Sequence, residues 1–301
     1  MTENNPIPPP IRKAATIILV REKNSTLEVY LLKRSTKSAF MGGLYVFPGG
    51  VAESEDFGTE SWISHIDLSR DQIEQQLGGD TISADEVLGF SIAAIRETLE
   101  EAGVVIASAN GGSGPDYDQF ASYRLKKDLP KDWFRTKIKE ENWTLSLSEL
   151  GRWSHWITPK LMKKRFDTRF FIVFMPKGQT CVPDNLETEQ GIWLSPQTAL
   201  EQNLESKIPL SPPTLVTLTQ LLKFKNLNTL KQDIRSRSWG TPIMPRLVPS
   251  SGGPVILEPW DPDRNSDIKI DTSDFSNKVL PAGSWFSRIW CDKGIWKPVD
   301  I

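Results

Sequence analysis

The chain has 301 residues, with 36 Lys and Arg against 38 Asp and Glu, a formal net charge of -2, 38% hydrophobic and 25% charged residues. That length can bury a sizeable core, the near-neutral balance gives no global field for nucleic acid or an anionic membrane, and the apolar runs, such as AATIILV and FFIVFM, are far too short to span a bilayer. The start MTENNPIPPP lacks a basic-then-apolar leader, the end KPVDI is not a Ser-Lys-Leu address, and Cys181 and Cys291 form neither a disulfide framework nor a thiolate cluster, so a cytoplasmic protein without membrane association is expected.

Met1 to Pro10 is polar and proline-rich and reads as a loose tail. AATIILV (Ala14 to Val20) and EVYLLKR (Glu28 to Arg34) are short apolar runs separated by turn formers, and they predict two strands. LYVFPGG ends a third strand at a Pro-Gly-Gly break. The polar stretch from Glu53 to Thr81, with an amphipathic piece at RDQIEQQL, reads as an insertion. A helix follows: Ser83 and Glu86 suggest a capping box, Ile92, Ile95 and Leu99 recur at helical spacing, and Gly103 supplies the stop.

NGGSGPD (Asn110 to Asp116) predicts a flexible turn, and DQFASYRLKK and KDWFRTKIKE predict short helices. RWSHWIT and TRFFIVFMP read as strands, the second dense in Phe, Ile and Val. QGIWLSPQTALEQ predicts a strand, a turn at Ser195-Pro196 and a helix, and SPPTLVTLTQLLKF another helix after a proline start. From Trp239 onward the chain is rich in Pro, Gly and Trp and reads as an extension wrapped on the domain. Five of the eleven Trp lie there, for which core packing and anchoring are expected ahead of a stacking platform.

The chemistry is concentrated in IRETLEEAG (Ile95 to Gly103). On a helix, Glu97, Glu100 and Glu101 share one face at spacings of three and four, where like charges repel. The face is either a solvated acidic surface or a metal site, because hard cations such as Mg2+ take oxygen ligands and sit between carboxylates and substrate phosphates. Context favours the second reading. Arg96 lies four residues before Glu100 and can hold its carboxylate, and upstream FPGG brings bare backbone close to a ligand.

A strand, a Gly-Gly turn and the helix RETLEEAGV together resemble the Nudix hydrolase family, whose box runs Gly, five residues, Glu, seven residues, Arg-Glu-aliphatic-x-Glu-Glu-x-Gly-aliphatic. Counting from Gly50 places Asp56 at the first acidic position, whereas counting back from Arg96 places Leu88 there. The halves are out of register, so the box contains an insertion, and Thr98 replaces the aliphatic residue. That insertion, with RFDTRFFIVFMP and PLSPPT, makes the chain similar to the subgroup related to the animal peroxisomal coenzyme A diphosphatases.

The resemblance implies an α/β fold, the Nudix α/β/α sandwich with a mixed sheet, an insertion in the box and a C-terminal extension. The expected organisation is a flexible tail at 1–12, a Nudix domain at 13–205 with the insertion at about 57–85 and a helical segment at about 116–148, and a helical and irregular extension at 206–301. It further implies Mg2+, with Mn2+ as an alternative, held by Glu97, Glu100, Glu101 and the carbonyl of Gly50, with Arg96 orienting a carboxylate. Glu187 and Glu189, ahead of Trp193, are candidates for the base that activates water, or are ordinary loop charges; Glu187 is taken first. His65 and His155 are poor candidates, the latter expected as a packed strand residue.

The implied reaction is hydrolysis of a diphosphate in a nucleoside diphosphate derivative, with coenzyme A or acyl-coenzyme A favoured. The segment YLLKRSTKSAFMGGLYVFPGG matches the coenzyme A-cleaving pattern at Arg34, Ser35, Gly43 and FPGG, while Ala39 and Phe40 stand where basic residues are usual. Arg34 either contacts the 3'-phosphate or ends a strand; the cluster Lys163 to Arg169 is either a phosphate-facing rim or a solvated turn, with Arg165 the residue to test. The rival readings are an ADP-ribose or NADH diphosphatase, a non-catalytic nucleotide-sensing Nudix module, and RNA decapping, which the charge balance disfavours. The expected partner is a small-molecule nucleotide, and a homodimer is left open.

Overall fold

The computed structural model describes residues 9–38, 40–79, 82–109, 117–126, 128–267 and 269–301. The predicted turn at 110–116 and residues 1–8 of the tail lie outside these. The tail is shorter than expected, because Ile11 and Arg12 already pair in parallel with Arg165 and Phe166.

The chain begins with β1 (Ile11–Lys23), β2 (Thr26–Arg34), β3 (Tyr45–Val46) and β4 (Gly49–Val51). All of Ala14 to Val20 in β1 is buried, as befits a central strand covered on both faces. The insertion forms α1 (Thr59–Trp62) and α2 (Arg70–Gln76), and α3 (Ala84–Ala102) carries the acidic motif. Then come β5 (Ala107–Ala109), α4 (Tyr117–Tyr123), α5 (Trp133–Glu140), β6 (Trp143–Leu145), β7 (Gly151–Ile157), β8 (Arg165–Phe174) and β9 (Thr188–Leu194). Three helices follow, α6 (Pro196–Leu204), α7 (Pro212–Leu221) and α8 (Leu227–Ser236), and then β10 (Arg246–Val248), β11 (Val255–Leu257), β12 (Arg288–Asp292) and β13 (Ile295–Val299).

The main sheet runs β3-β2-β1-β8-β7, with β4 on β1 and β9 on β2. β1 and β8 are parallel and the other pairs antiparallel, so the sheet is mixed. One face buries α3 and the insertion through Phe90, Ile92, Leu99 and Trp62. The other buries the later helices through Trp153, Phe170, Leu215 and Leu218. This is the α/β/α sandwich that the sequence predicts.

Three local features depart from expectation. The third strand is split into β3 and β4 at Phe47-Pro48, since proline supplies no ladder donor. Ser83 caps α3 by accepting from the Glu86 N–H at 3.3 Å, but the Glu86 carboxylate lies 2.6 Å from Lys13 Nζ, an ion pair that takes the place of the return bond of a capping box. The insertion is more than surface decoration: Trp62, Ile73 and Leu77 are buried in the same core as α3.

The extension is also more regular than expected. β10 to β13 form a four-stranded antiparallel sheet around Val255, Leu257, Phe275, Trp290 and Val299. It is tied to the domain at the β7 edge, where Ile243 accepts from the Ile157 N–H at 2.9 Å and donates to the His155 carbonyl at 2.7 Å. Among the described residues no helix is long and apolar enough to cross a membrane.

Candidate active site

α3 positions the acidic residues and is fixed at both ends. Gly103 takes a left-handed φ of 69° and its N–H donates to the Leu99 carbonyl at 2.9 Å, a conformation that side-chain-bearing residues disfavour. Arg124, brought in behind α4, donates from Nη1 to the Glu100 carbonyl and from Nη2 to the Val182 carbonyl at 2.6 Å. A cation thus sits at the negative end of the helix dipole.

Arg96 is the hub of the site. Its Nε and Nη2 reach the two Asp56 oxygens at 3.1 and 2.9 Å, Nη2 also reaches the Val51 carbonyl at 2.9 Å, and Nη1 reaches Glu97 at 2.9 Å and Glu100 at 2.7 Å. All five guanidinium donors are therefore used. Asp56 fills the first acidic position as counted from Gly50, while Leu88, the alternative, is an apolar core residue. The insertion therefore falls between Asp56 and Arg96, and leaves that bidentate pair intact.

The predicted carboxylates come together at the sheet. Glu101 is 3% exposed, accepts from the Gly49 N–H at 2.9 Å and has Arg34 Nη1 at 3.7 Å. Glu97 packs directly on Gly50, where an added Cβ would stand 2.4 Å from its carboxylate oxygen, so a larger residue there would push the Glu97 carboxylate out of place. Glu100 is held by Arg96 and by the Trp133 indole N–H at 3.0 Å. Burial pushes Glu97 up to about 8 and raises Glu100 and Glu101 above the ordinary carboxylate range, with Arg96 opposing the rise in the first two. Two guanidiniums, Arg96 and Arg34, face the five carboxyl groups of Asp56, Glu97, Glu100, Glu101 and Glu187, so the acids outnumber the cations and their charged forms lack partners.

Oxygen-only donors, burial and a surplus of acids over guanidiniums fit a hard divalent cation, which would favour the ionised forms that burial opposes. Among the described residues no three His, Cys, Asp or Glu side chains form a ready cage. Glu97 and Glu100 are bound to Arg96, so taking up a cation requires them to share or exchange that contact.

Glu97, Glu100, Glu101, Gly49 and Gly50 line a cavity of about 660 Å³. Arg34 and Glu187 also line it, with Glu187 72% exposed at its side chain and 4.0 Å from Arg34. The Asp184 carboxylate shapes the Glu187 loop by accepting from the N–H groups of Leu186, Glu187 and Thr188. Glu189 accepts instead from the Thr36 N–H at 3.2 Å and does not line the cavity. Arg165 is not brought to the cavity either: it is 6% exposed and its Nε donates to the Thr158 carbonyl at 3.2 Å, while its neighbour Lys164 and Arg12 do line it. Lys164 sits in the bend just ahead of β8 and Arg165 is the first residue of that strand, and the two side chains part there. His155 is a packed strand residue, bound through Nε2 to Asp167 at 2.6 Å.

Trp133, Arg124 and Asp184 escape sequence reasoning. Trp133 and Arg124 act across the fold on partners that local spacing does not reveal, whereas Asp184 acts within its own loop, on N–H groups two to four residues ahead. The only local signal is Asp184, placed before a turn ahead of a strand.

The model of the NUDT19 Nudix domain matches residues 11–221. Acyl-coenzyme A diphosphatase NUDT19 of Xenopus laevis is 30% identical over 315 residues, covering 89% of this chain and 82% of the relative. Its namesake in Gallus gallus is 29% identical over 340 residues, covering 92% and 88%. The crystal structure of a Nudix hydrolase from Alicyclobacillus acidocaldarius matches 77% of this chain and 99% of its own at a TM-score of 0.61 and 22% identity, which shows the shared fold. With this match spanning the sheet, the acidic helix and the insertion, the chain belongs to the NUDT19 Nudix domain family and is a Nudix hydrolase.

Proposed function

We propose that the protein catalyses Mg2+-dependent hydrolysis of the diphosphate in coenzyme A or acyl-coenzyme A, giving 3',5'-ADP and 4'-phosphopantetheine or its acyl form. The observation that carries this reading is the buried carboxylate set lining a cavity large enough for an extended substrate. The names of the relatives from Xenopus laevis and Gallus gallus support the choice of substrate.

In this reading Glu97, Glu100, Glu101 and the Gly50 backbone hold the cation, with Mn2+ as an alternative to Mg2+. The bound cation neutralises the carboxylates and polarises the phosphoryl oxygens. Arg96 keeps Glu97 and Glu100 oriented through its pair with Asp56. Glu187 accepts a proton from the attacking water. The water oxygen bonds to one phosphorus, and the bridging P–O bond breaks with its electron pair leaving on the other phosphate. Arg34, 3.7 Å from Glu101, contacts the diphosphate in this reading, a third role beside the 3'-phosphate contact and the strand end that the sequence left open.

A substrate panel with product masses tests this. Coenzyme A with Mg2+ should yield the two named products, and chelation should abolish turnover. Turnover of ADP-ribose or NADH with coenzyme A ignored would overturn the substrate; binding without turnover of any member would make the protein a nucleotide-sensing module. If Arg34 contacts the diphosphate, Arg34→Ala should weaken kcat/KM for every substrate alike, whereas a selective loss on coenzyme A would restore the 3'-phosphate role.

A further inference from the structure

We propose that the C-terminal four-stranded unit forms the far wall of a receptacle for the acyl chain of a thioester substrate, and that Leu247, Ile256 and Trp296 set the length of chain accepted. This inference rests on the coenzyme A reading above.

The cavity has two chemically different kinds of lining. One is the carboxylates of α3. The other is apolar and comes from two separate parts of the chain. The main sheet supplies Trp156 and Phe170, and the extension supplies Leu247, Ile256 and Trp296. β11 explains how a small sheet can serve both itself and the cavity. Val255 and Leu257 point into its own core, while Ile256 between them belongs to the cluster that covers the main sheet. Leu247 is the cross-strand partner of Ile256, so the two present one apolar face.

The wall is anchored rather than loosely draped. Buried Asn203 on α6 donates to the Trp296 carbonyl at 2.8 Å and accepts from the Leu210 N–H at 2.9 Å. Ile243, bonded at the β7 edge, delivers Pro245 and Leu247 to the cavity.

The occupant is an alkyl chain rather than a nucleotide base. A base needs free donors and acceptors along its edges. Beside this wall several polar groups are already partnered within the protein: the Ser211 and Thr214 hydroxyls bond each other at 2.7 Å, and the Trp156 indole donates to Ser154 at 3.0 Å. An alkyl chain asks only for apolar surface and contributes affinity with each methylene buried.

The test compares free coenzyme A with a series of saturated acyl-coenzyme A thioesters on the full-length enzyme with Mg2+. For the unmodified protein, kcat/KM should rise about threefold to fourfold per methylene until the receptacle is full, then level off. Leu247→Trp, which fills the space, should lower the ratio of dodecanoyl-coenzyme A to free coenzyme A tenfold or more and move the plateau to shorter chains. Leu247→Ala should move it to longer chains, and decides the matter if the Trp variant fails to fold by circular dichroism. A flat chain-length profile, or profiles that neither variant shifts, would overturn the inference while hydrolysis of coenzyme A still stood. An enzyme that cleaves neither coenzyme A nor its thioesters would overturn both.

Discussion

Glu101 and Glu258 are both carboxylates sealed inside this protein, and burial pushes both above the ordinary range, yet their surroundings differ. Around Glu101 are the Gly49 N–H, the Arg34 guanidinium, glycine backbone and an open cavity. Glu258 follows β11, is 0% exposed, and neither of its oxygens has a hydrogen-bond partner among the described residues. The nearby Arg288 is taken by Asp261 and Asp263. Desolvation is the first cause in both cases, so a raised carboxyl does not by itself mark a site. What separates them is convergence: at Glu101 several groups aim at one accessible volume, and at Glu258 nothing does.

Four experiments press on that contrast. Arg96→Met should do the most damage, because it strands buried carboxylates that it now pairs. The expected loss is about 3–5 kcal/mol of unfolding free energy together with most activity; a denaturant midpoint at the wild-type value would show that the network contributes little. Glu101→Gln should leave the melting temperature within a few degrees but lower kcat by orders of magnitude, as loss of a group that holds the cation requires. Retained activity there would place Glu101 with Glu258 as a merely buried acid.

Trp133→Phe removes the indole donor to Glu100 and keeps the packing. A loss of about tenfold in kcat or in apparent metal affinity is expected, the scale usual for groups that orient a ligand. Unchanged metal titration would reduce Trp133 to packing.

Glu258→Gln should have the smallest effect on catalysis, none beyond error, and reads out in stability instead. The folded carboxyl holds its proton up to about pH 8, whereas the unfolded one releases it near 4.5. Unfolding therefore becomes easier as pH rises through that window, and the penalty is constant above it. The Gln variant should melt a few degrees above wild type at pH 8.5 and no higher at pH 4.5. An equal difference at both values would mean that the proton is not the cause.

Much of this was legible because it is written in long uniform patterns. The buried run of β1, the Phe-rich β8 and the periodic α3 each carry enough repeats to declare their structure. The acidic triad is legible for a different reason: three like charges on one helical face contradict local stability, and a contradiction is visible in a single segment. The extension hid its sheet because β10 and β11 have three residues each, too few for alternation to register. The insertion hid its core role because Trp62, Ile73 and Leu77 are scattered through polar sequence and gain meaning only when folded onto α3. Arg165 and Lys164 show a third limit. A basic cluster at a strand start says that charge is present, but only the folded bend and strand start decide which residue faces the cavity.

The bonds that Ile243 makes to β7 have a consequence beyond holding the extension in place. β7 is the last strand of its sheet on that side, and without Ile243 the N–H of Ile157 and the carbonyl of His155 would be open to another chain. Exposed strand edges beside apolar side chains such as Trp153 and Trp156 recruit further strands and start aggregates. The C-terminal segment therefore also acts as a built-in guard against self-association. A truncation ending before Ile243 should be recovered largely as insoluble or higher-order material, even if its catalytic groups are complete.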